Sequence, residues 1–150
     1  MRLTSYTDYA LRTLIYLAEH RDALVTIEEL AQFQHIPKNH LTKVVHHLGQ
    51  LELVATVRGR NGGIKLGKEP EEIVIGQVVR QTETDFHIVE CFNKDTEIPC
   101  VYSNGCRLKG VLTQATNAFL KVLDDVNLKN LIHPSSSAPL AKRIALKIET

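Results

Sequence analysis

The apolar positions near the start of the chain fall into a helical rhythm. Within Thr7–Ala18 they recur at 10, 11, 14, 15, 17 and 18, with Ser5 or Thr7 placed to cap the start. Thr26-Ile27-Glu28-Glu29 has the Ser/Thr-x-x-Glu form of a capping box and opens a second helix that continues through Leu30, Ala31 and Phe33. His35-Ile36-Pro37 interrupts that helix, and Pro37 suits the first turn of a third, from Lys38 to about Leu51. The third helix is expected to bury Leu41, Val44, Val45, Leu48 and Leu51, and to present Lys38, Asn39, His40, Thr42, Lys43 and His46 on its other face.

Two short helices joined by a tight turn, the second with a basic and polar face, are the layout of a helix-turn-helix. Taken alone they could equally be a plain helical hairpin. The segment after the third helix changes the balance. Leu53–Val57 reads as a strand and Gly63–Leu66 as its antiparallel partner, separated by Arg58-Gly59-Arg60-Asn61-Gly62. Asn61-Gly62 is a hairpin signal because both residues tolerate positive φ. Arginines at a hairpin tip have no packing role, but they can enter a minor groove or follow phosphates. A helix-turn-helix joined directly to a basic β-wing points to double-stranded DNA. Asn39 could read adenine, Lys43 could reach guanine or phosphate, and Thr42 could touch phosphate or a thymine methyl; Arg58, Arg60 and Asn61 would engage from the wing.

Charge supports this once it is split along the chain. The whole carries +1, yet residues 38–68 hold six Lys/Arg against Glu52, whereas residues 69–106 hold eight acids against Arg80 and Lys94. A basic segment suits phosphates and an acidic one repels them. The first residues lack an apolar signal core, and no apolar run approaches the roughly 20 residues that span a bilayer, so a cytoplasmic protein with no membrane partner is expected. No nucleotide-binding glycine loop, Ser/His/Asp set or paired carboxylates stand out, so the chain is not read as an enzyme.

The three cysteines lie together, as Cys91-x8-Cys100-x5-Cys106, with Pro99, Asn104 and Gly105 giving loop character between them. An odd number without a secretion signal favours metal or redox chemistry over a disulfide framework. Thiolates suit zinc or iron–sulfur clusters. Structural zinc usually shows Cys-x2–4-Cys pairs, absent here, so three thiolates plus one weaker ligand on a cluster fit better. Of the histidines only His87, four residues before Cys91, stands near enough to be a ligand, and a surface role is commoner for such a residue.

From Arg107 to about Asp125, Leu108, Leu112, Ala115, Phe119 and Val122 form an a/d-like stripe, widened by Val111 and Leu123. Such stripes usually pack within their own domain. Here the small N-terminal domain leaves little surface to cover one, and palindromic DNA needs a two-fold partner, so an intersubunit helix is expected. The architecture is mainly α with a small β-wing: a winged helix-turn-helix domain over 1–82, a cysteine-containing loop over 83–106, a long C-terminal dimerisation helix region over 107–133, and a linker and basic tail over 134–150.

From Met1 to about Ile132 the chain resembles the NsrR/IscR group of winged-helix iron–sulfur transcription repressors, and among them the nitric-oxide-sensing type. The resemblance is carried by Leu3–Arg12, Lys38–Val44, Val57–Leu66 and the Cys91/Cys100/Cys106 set. It implies a homodimer whose long helices cross, bringing each cluster near the other subunit's N-terminal helix. Cys91, Cys100 and Cys106 would be ligands of a [4Fe–4S] cluster, with Asp8 as a fourth ligand from the partner subunit. Arg12, one turn on, would hold Asp8 when the cluster is absent, with Glu83 a candidate partner for Arg12. IscR-like members have a histidine three residues after the last cysteine, where this chain has Lys109, so the alternative [2Fe–2S] centre is disfavoured. The Cys91–Cys100 interval is wider than in many relatives.

The expectation is therefore an iron–sulfur-dependent repressor that leaves a palindromic operator when nitric oxide damages its cluster. The rivals are a regulator that senses cluster supply or thiol oxidation, and, in another class, an iron–sulfur carrier or redox protein.

Overall fold

The computed structural model describes residues 2–93, 100–102 and 105–132; the expected linker and tail, 134–150, lie outside them, as do Pro99 and Asn104. Helix α1, Ser5–Glu19, is capped by neither Ser5 nor Thr7 but by Thr4, whose hydroxyl accepts from the Thr7 amide at 3.3 Å. Thr7 is fully buried, so its side chain belongs to the core rather than to a cap. Helix α2, Ile27–Gln34, is capped by Thr26 accepting from the Glu29 amide, while the Glu29 carboxylate accepts from the Tyr16 hydroxyl at 3.1 Å. The helix stops where His35 turns left-handed, at φ 55. Pro37 stands just before helix α3, Lys38–Gln50, and its carbonyl receives the His40 and Leu41 amides.

Leu41, Val44, Val45 and Leu48 are buried as the periodicity requires, and Leu51 is half-buried just past the helix end. Strands β1, Val54–Val57, and β2, Gly63–Leu66, pair antiparallel from Val54↔Leu66 to Val57↔Gly63. Val25 bridges to Ile64, tying the wing to the α1–α2 connection. In the wing turn the left-handed residue is Gly59, at φ 127, rather than Asn61 or Gly62. Gly62 is needed for space instead, because a Cβ there would run into the Val57 carbonyl.

A one-turn 3-10 segment, Pro70–Glu72, leads into helix α4, Ile75–Thr82, and after the cysteine segment helix α5 runs from Arg107 to Asp124. The chain then folds back onto the winged domain. Val74 bridges to Asn127, and Leu128, wholly buried, joins the same core as Leu14, Leu30, Leu41 and Val79. Arg80 of α4 grips Asp124 of α5 through two hydrogen bonds, 2.5 and 2.8 Å long. No helix among the described residues is long and apolar enough to cross a membrane.

Candidate nucleic-acid interface and candidate metal centre

The polar face of α3 stands clear of the protein: Lys38, Asn39, His40, Thr42 and Lys43 are all exposed, as are Arg58, Arg60 and Asn61 on the wing. Three of these α3 residues already hold intramolecular partners. The Lys38 ammonium is 2.6 Å from Glu28 Oε2 of α2. The Thr42 hydroxyl donates to the Lys38 carbonyl at 2.9 Å, as a helical threonine commonly does, leaving its oxygen lone pairs and methyl outward. The His40 ring lies edge-on to Tyr9, with centroids 6.2 Å apart.

Helix α1 holds the helix-turn-helix in place by polar as well as apolar contacts. The Tyr6 hydroxyl lies 3.1 Å from His47 Nδ1 and 3.4 Å from the Lys43 carbonyl, and burial pushes its pKa up. Arg12 donates to the Gln34 carbonyl at 2.9 Å, and the Gln34 amide donates back to the Arg12 carbonyl at 3.1 Å. Tyr6, Tyr9 and Glu28 were not among the residues expected from sequence. Their partners lie on other helices, so no local spacing marks them.

The cysteines meet around one cavity of about 500 Å³, whose wall includes Cys91, Cys100, Cys106, Val89, Tyr102 and Leu112. Cys91 sits in a one-turn 3-10 segment, Glu90–Phe92, and Cys106 occupies the N-cap position of α5. Cys91 and Cys106 are half-buried and Cys100 is exposed. Cys106 thus stands at the positive end of the α5 dipole. Arg107 and Lys109 line the same cavity and add positive charge, the Lys109 ammonium lying 5.9 Å from the Phe92 ring centre. Among the described residues, no three His, Cys, Asp or Glu side chains converge closely enough to hold a single metal ion. What the three cysteines share is the wall of that cavity.

The other expected site residues lie elsewhere. Asp8 is more than half exposed on α1, 3.5 Å from Arg12 Nη1, and does not line the cysteine cavity of its own chain. Glu83 is not paired with Arg12. Its Oε1 accepts from the Thr4 amide at 2.7 Å and the Thr4 hydroxyl at 3.1 Å, because α4 ends directly beside the start of α1. His87 turns to Asp85, 3.7 Å away, and is not part of the cavity wall.

A helix-turn-helix with an exposed polar reading face and an arginine-tipped wing defines a DNA-binding transcription regulator. The chain belongs to the Rrf2 family, whose model, described as an iron-dependent transcriptional regulator, matches residues 3–134. It is similar to the HTH-type transcriptional regulator NsrR of Shouchella clausii, with 53% identity over 133 residues covering 88% of this chain and 89% of that one. The protein of the same name from Bacillus subtilis is likewise 53% identical over 133 residues, covering 88% and 90%. In fold it resembles CymR, the global cysteine regulator of B. subtilis, with a TM-score of 0.71 and 26% identity over 87% of this chain and 95% of that one. T. potens IscR shares the fold at a TM-score of 0.69 and 22% identity, covering 87% and 85%. The family model and the NsrR proteins are named as transcription regulators, and CymR as a regulator, so the chain belongs with regulators and not with enzymes.

Proposed function

We propose that this regulator is a homodimeric repressor of a palindromic operator, in which Cys91, Cys100 and Cys106 hold a [4Fe–4S] cluster and nitric oxide is the signal. The observation that carries the reading is the one cavity whose wall all three cysteines share, at the positive end of α5 and beside Arg107 and Lys109. Soft thiolates spread around a space, with positive charge to offset theirs, suit a polynuclear cluster better than one zinc ion. When bound, the cluster supplies iron that reacts with nitric oxide.

The protein's own residues transmit the change. Asp8 lies outside the cavity of its own chain, so as a fourth ligand it would come from a second copy; Arg12, 3.5 Å away, would hold it when it is not so engaged. Arg12 also holds the end of α2 through Gln34, and Tyr6 on the same helix touches α3 through His47 and Lys43. A shift of α1 therefore reorients Asn39, His40, Thr42 and Lys43 together with the wing residues Arg58, Arg60 and Asn61. A coupling of about 3 kcal/mol between the two sites gives a ~100-fold loss of DNA affinity.

The test is the absorption spectrum and iron and sulfide content of anaerobically purified protein, before and after nitric oxide, with DNA binding followed in parallel. A broad band near roughly 400 nm, about four irons per chain, bleaching and release of DNA are expected. Bleaching without release would favour a sensor of cluster supply or thiol oxidation. A colourless protein with stoichiometric zinc after anaerobic reconstitution would overturn the cluster.

A further inference from the structure

Lys38 opens the reading helix, yet its ammonium is already engaged, 2.6 Å from Glu28 Oε2 in the first turn of α2. The pair lies where α2, α3 and the wing meet, in a cleft of about 310 Å³ whose walls include Glu28, Lys38, Thr56 and Gly63. The N-terminal end of α3 is the end a helix-turn-helix protein turns towards bases, so this carboxylate stands on the side that approaches phosphates. Both side chains are more than half exposed, at 58% and 55%. An acid in the first turn of α2 is favoured by the helix dipole, but the exposed pair with Lys38 adds little to stability, so folding does not account for its meeting a lysine of the reading helix. The Lys38 hydrogen bond and charge hold the Glu28 carboxyl below the usual carboxylate range.

We propose that Glu28 sets DNA specificity by opposing non-specific binding, a role that rests on α3 being the DNA-reading helix and is independent of the cluster. In the free protein Glu28 neutralises Lys38. On DNA, Lys38 reaches a phosphate only by leaving Glu28, or else carries the carboxylate into the interface with it. Either way one of the six cations of residues 38–68 contributes no net attraction to DNA. Arbitrary duplex offers little beyond phosphates and is bound weakly, whereas the operator adds base contacts that offset the exchange.

The experiment measures binding of the anaerobically prepared full-length dimer to a random-sequence duplex, and to a duplex selected by this protein from a random pool, across a salt series. Glu28→Gln keeps the side-chain size and removes the charge. It is expected to bind the random duplex roughly tenfold more tightly near 0.1 M salt, with the log–log salt slope steeper by about 0.9 per subunit. Affinity for the selected duplex rises less, so discrimination falls. In a Lys38→Gln background the same Glu28 change is expected to leave the slope where it was, because no lysine is then released. An unchanged or weaker random-duplex affinity in Glu28→Gln, or a steeper slope that persists without Lys38, would overturn the proposal. Failure of the wild type to bind the random duplex at low salt and to enrich any duplex from the pool would instead overturn the DNA-reading assignment of α3 on which it rests.

Discussion

The Glu83 carboxylate accepts a 2.7 Å hydrogen bond from the Thr4 amide and a second from the Thr4 hydroxyl, so the residue that closes α4 clasps the residue that caps α1. The negative charge also sits at the positive end of the α1 dipole. This clasp joins the start of the cysteine segment to the helix carrying Asp8, Arg12 and Tyr6. Glu83→Ala is expected to cost about 1–2 kcal/mol, from a lost charged hydrogen bond and the dipole interaction. Urea unfolding measures the loss. Faster amide exchange confined to the first turn of α1 distinguishes a loosened clasp from general destabilisation, and unchanged exchange there would remove the clasp from the account.

Helix α5 packs inward through Thr116, Leu120 and Leu123 and leaves an apolar strip facing out, with Leu108, Val111 and Val122 each more than 60% exposed. In an isologous dimer every such side chain is buried twice. If the proposed dimer forms through this strip, Val111→Glu is expected to turn it into a monomer, read by sedimentation, while changing the chain's own stability by no more than about 0.5 kcal/mol. Leu123→Glu, on the inward face, is the contrast and unfolds the chain. A Val111→Glu protein that stays dimeric would place the interface elsewhere.

The helices α1 to α3 and the wing were legible because each buries its apolar face within the chain, so Leu41, Val44, Val45 and Leu48 recur at the helical period. That the three cysteines share one cavity was legible because they lie within 16 residues of one another. What escaped depended on distant partners. Ser5 and Thr7 were the caps read from the sequence, and Thr4 is favoured only once the fold buries Thr7 and lays Glu83, 79 residues away, against the helix start. Gly59 and Gly62 look alike, but one supplies positive φ and the other supplies room beneath the Val57 carbonyl. Glu28 and Lys38 are ten residues apart and meet only because the turn between α2 and α3 folds back.

Gly76 shows how tightly α4 and α5 are docked. A Cβ there would stand 2.9 Å from the Asp124 amide nitrogen and would overlap the carboxylate that Arg80 grips. Backbone cannot yield as a side-chain end can. Gly76→Ala is therefore expected to destabilise the protein by about 2 kcal/mol, although alanine is the better helix former by about 1 kcal/mol. Chemical denaturation checks the sign, and a stabilised variant would mean that α5 is free to move away from α4.

Tyr16 ties the first helix to the second and makes stability sensitive to alkali. It is 3% exposed, its ring stacks on His20 at 4.1 Å, and its hydroxyl donates to Glu29 at 3.1 Å. Burial, followed by the hydrogen bond to Glu29 and that carboxylate's charge, pushes its pKa up to about 12 from 10.0. The folded protein thus holds the phenol proton more tightly than the unfolded chain does. The resulting stabilisation is fully present below pH ~10 and is lost as pH rises towards ~12, amounting to roughly 2–3 kcal/mol. Lysines and the other tyrosines titrate in any variant, so the quantity to follow is the difference between wild type and Tyr16→Phe in urea from pH 8 to 12. At pH 8 the variant should be weaker by about 1 kcal/mol, having lost one hydrogen bond. Above pH ~10 the wild type should fall faster and the gap should close. Parallel curves would mean that the phenol ionises as readily in the folded protein as in the unfolded chain, and the packing of Tyr16 between His20, Phe33 and Glu29 would then be looser than these distances imply.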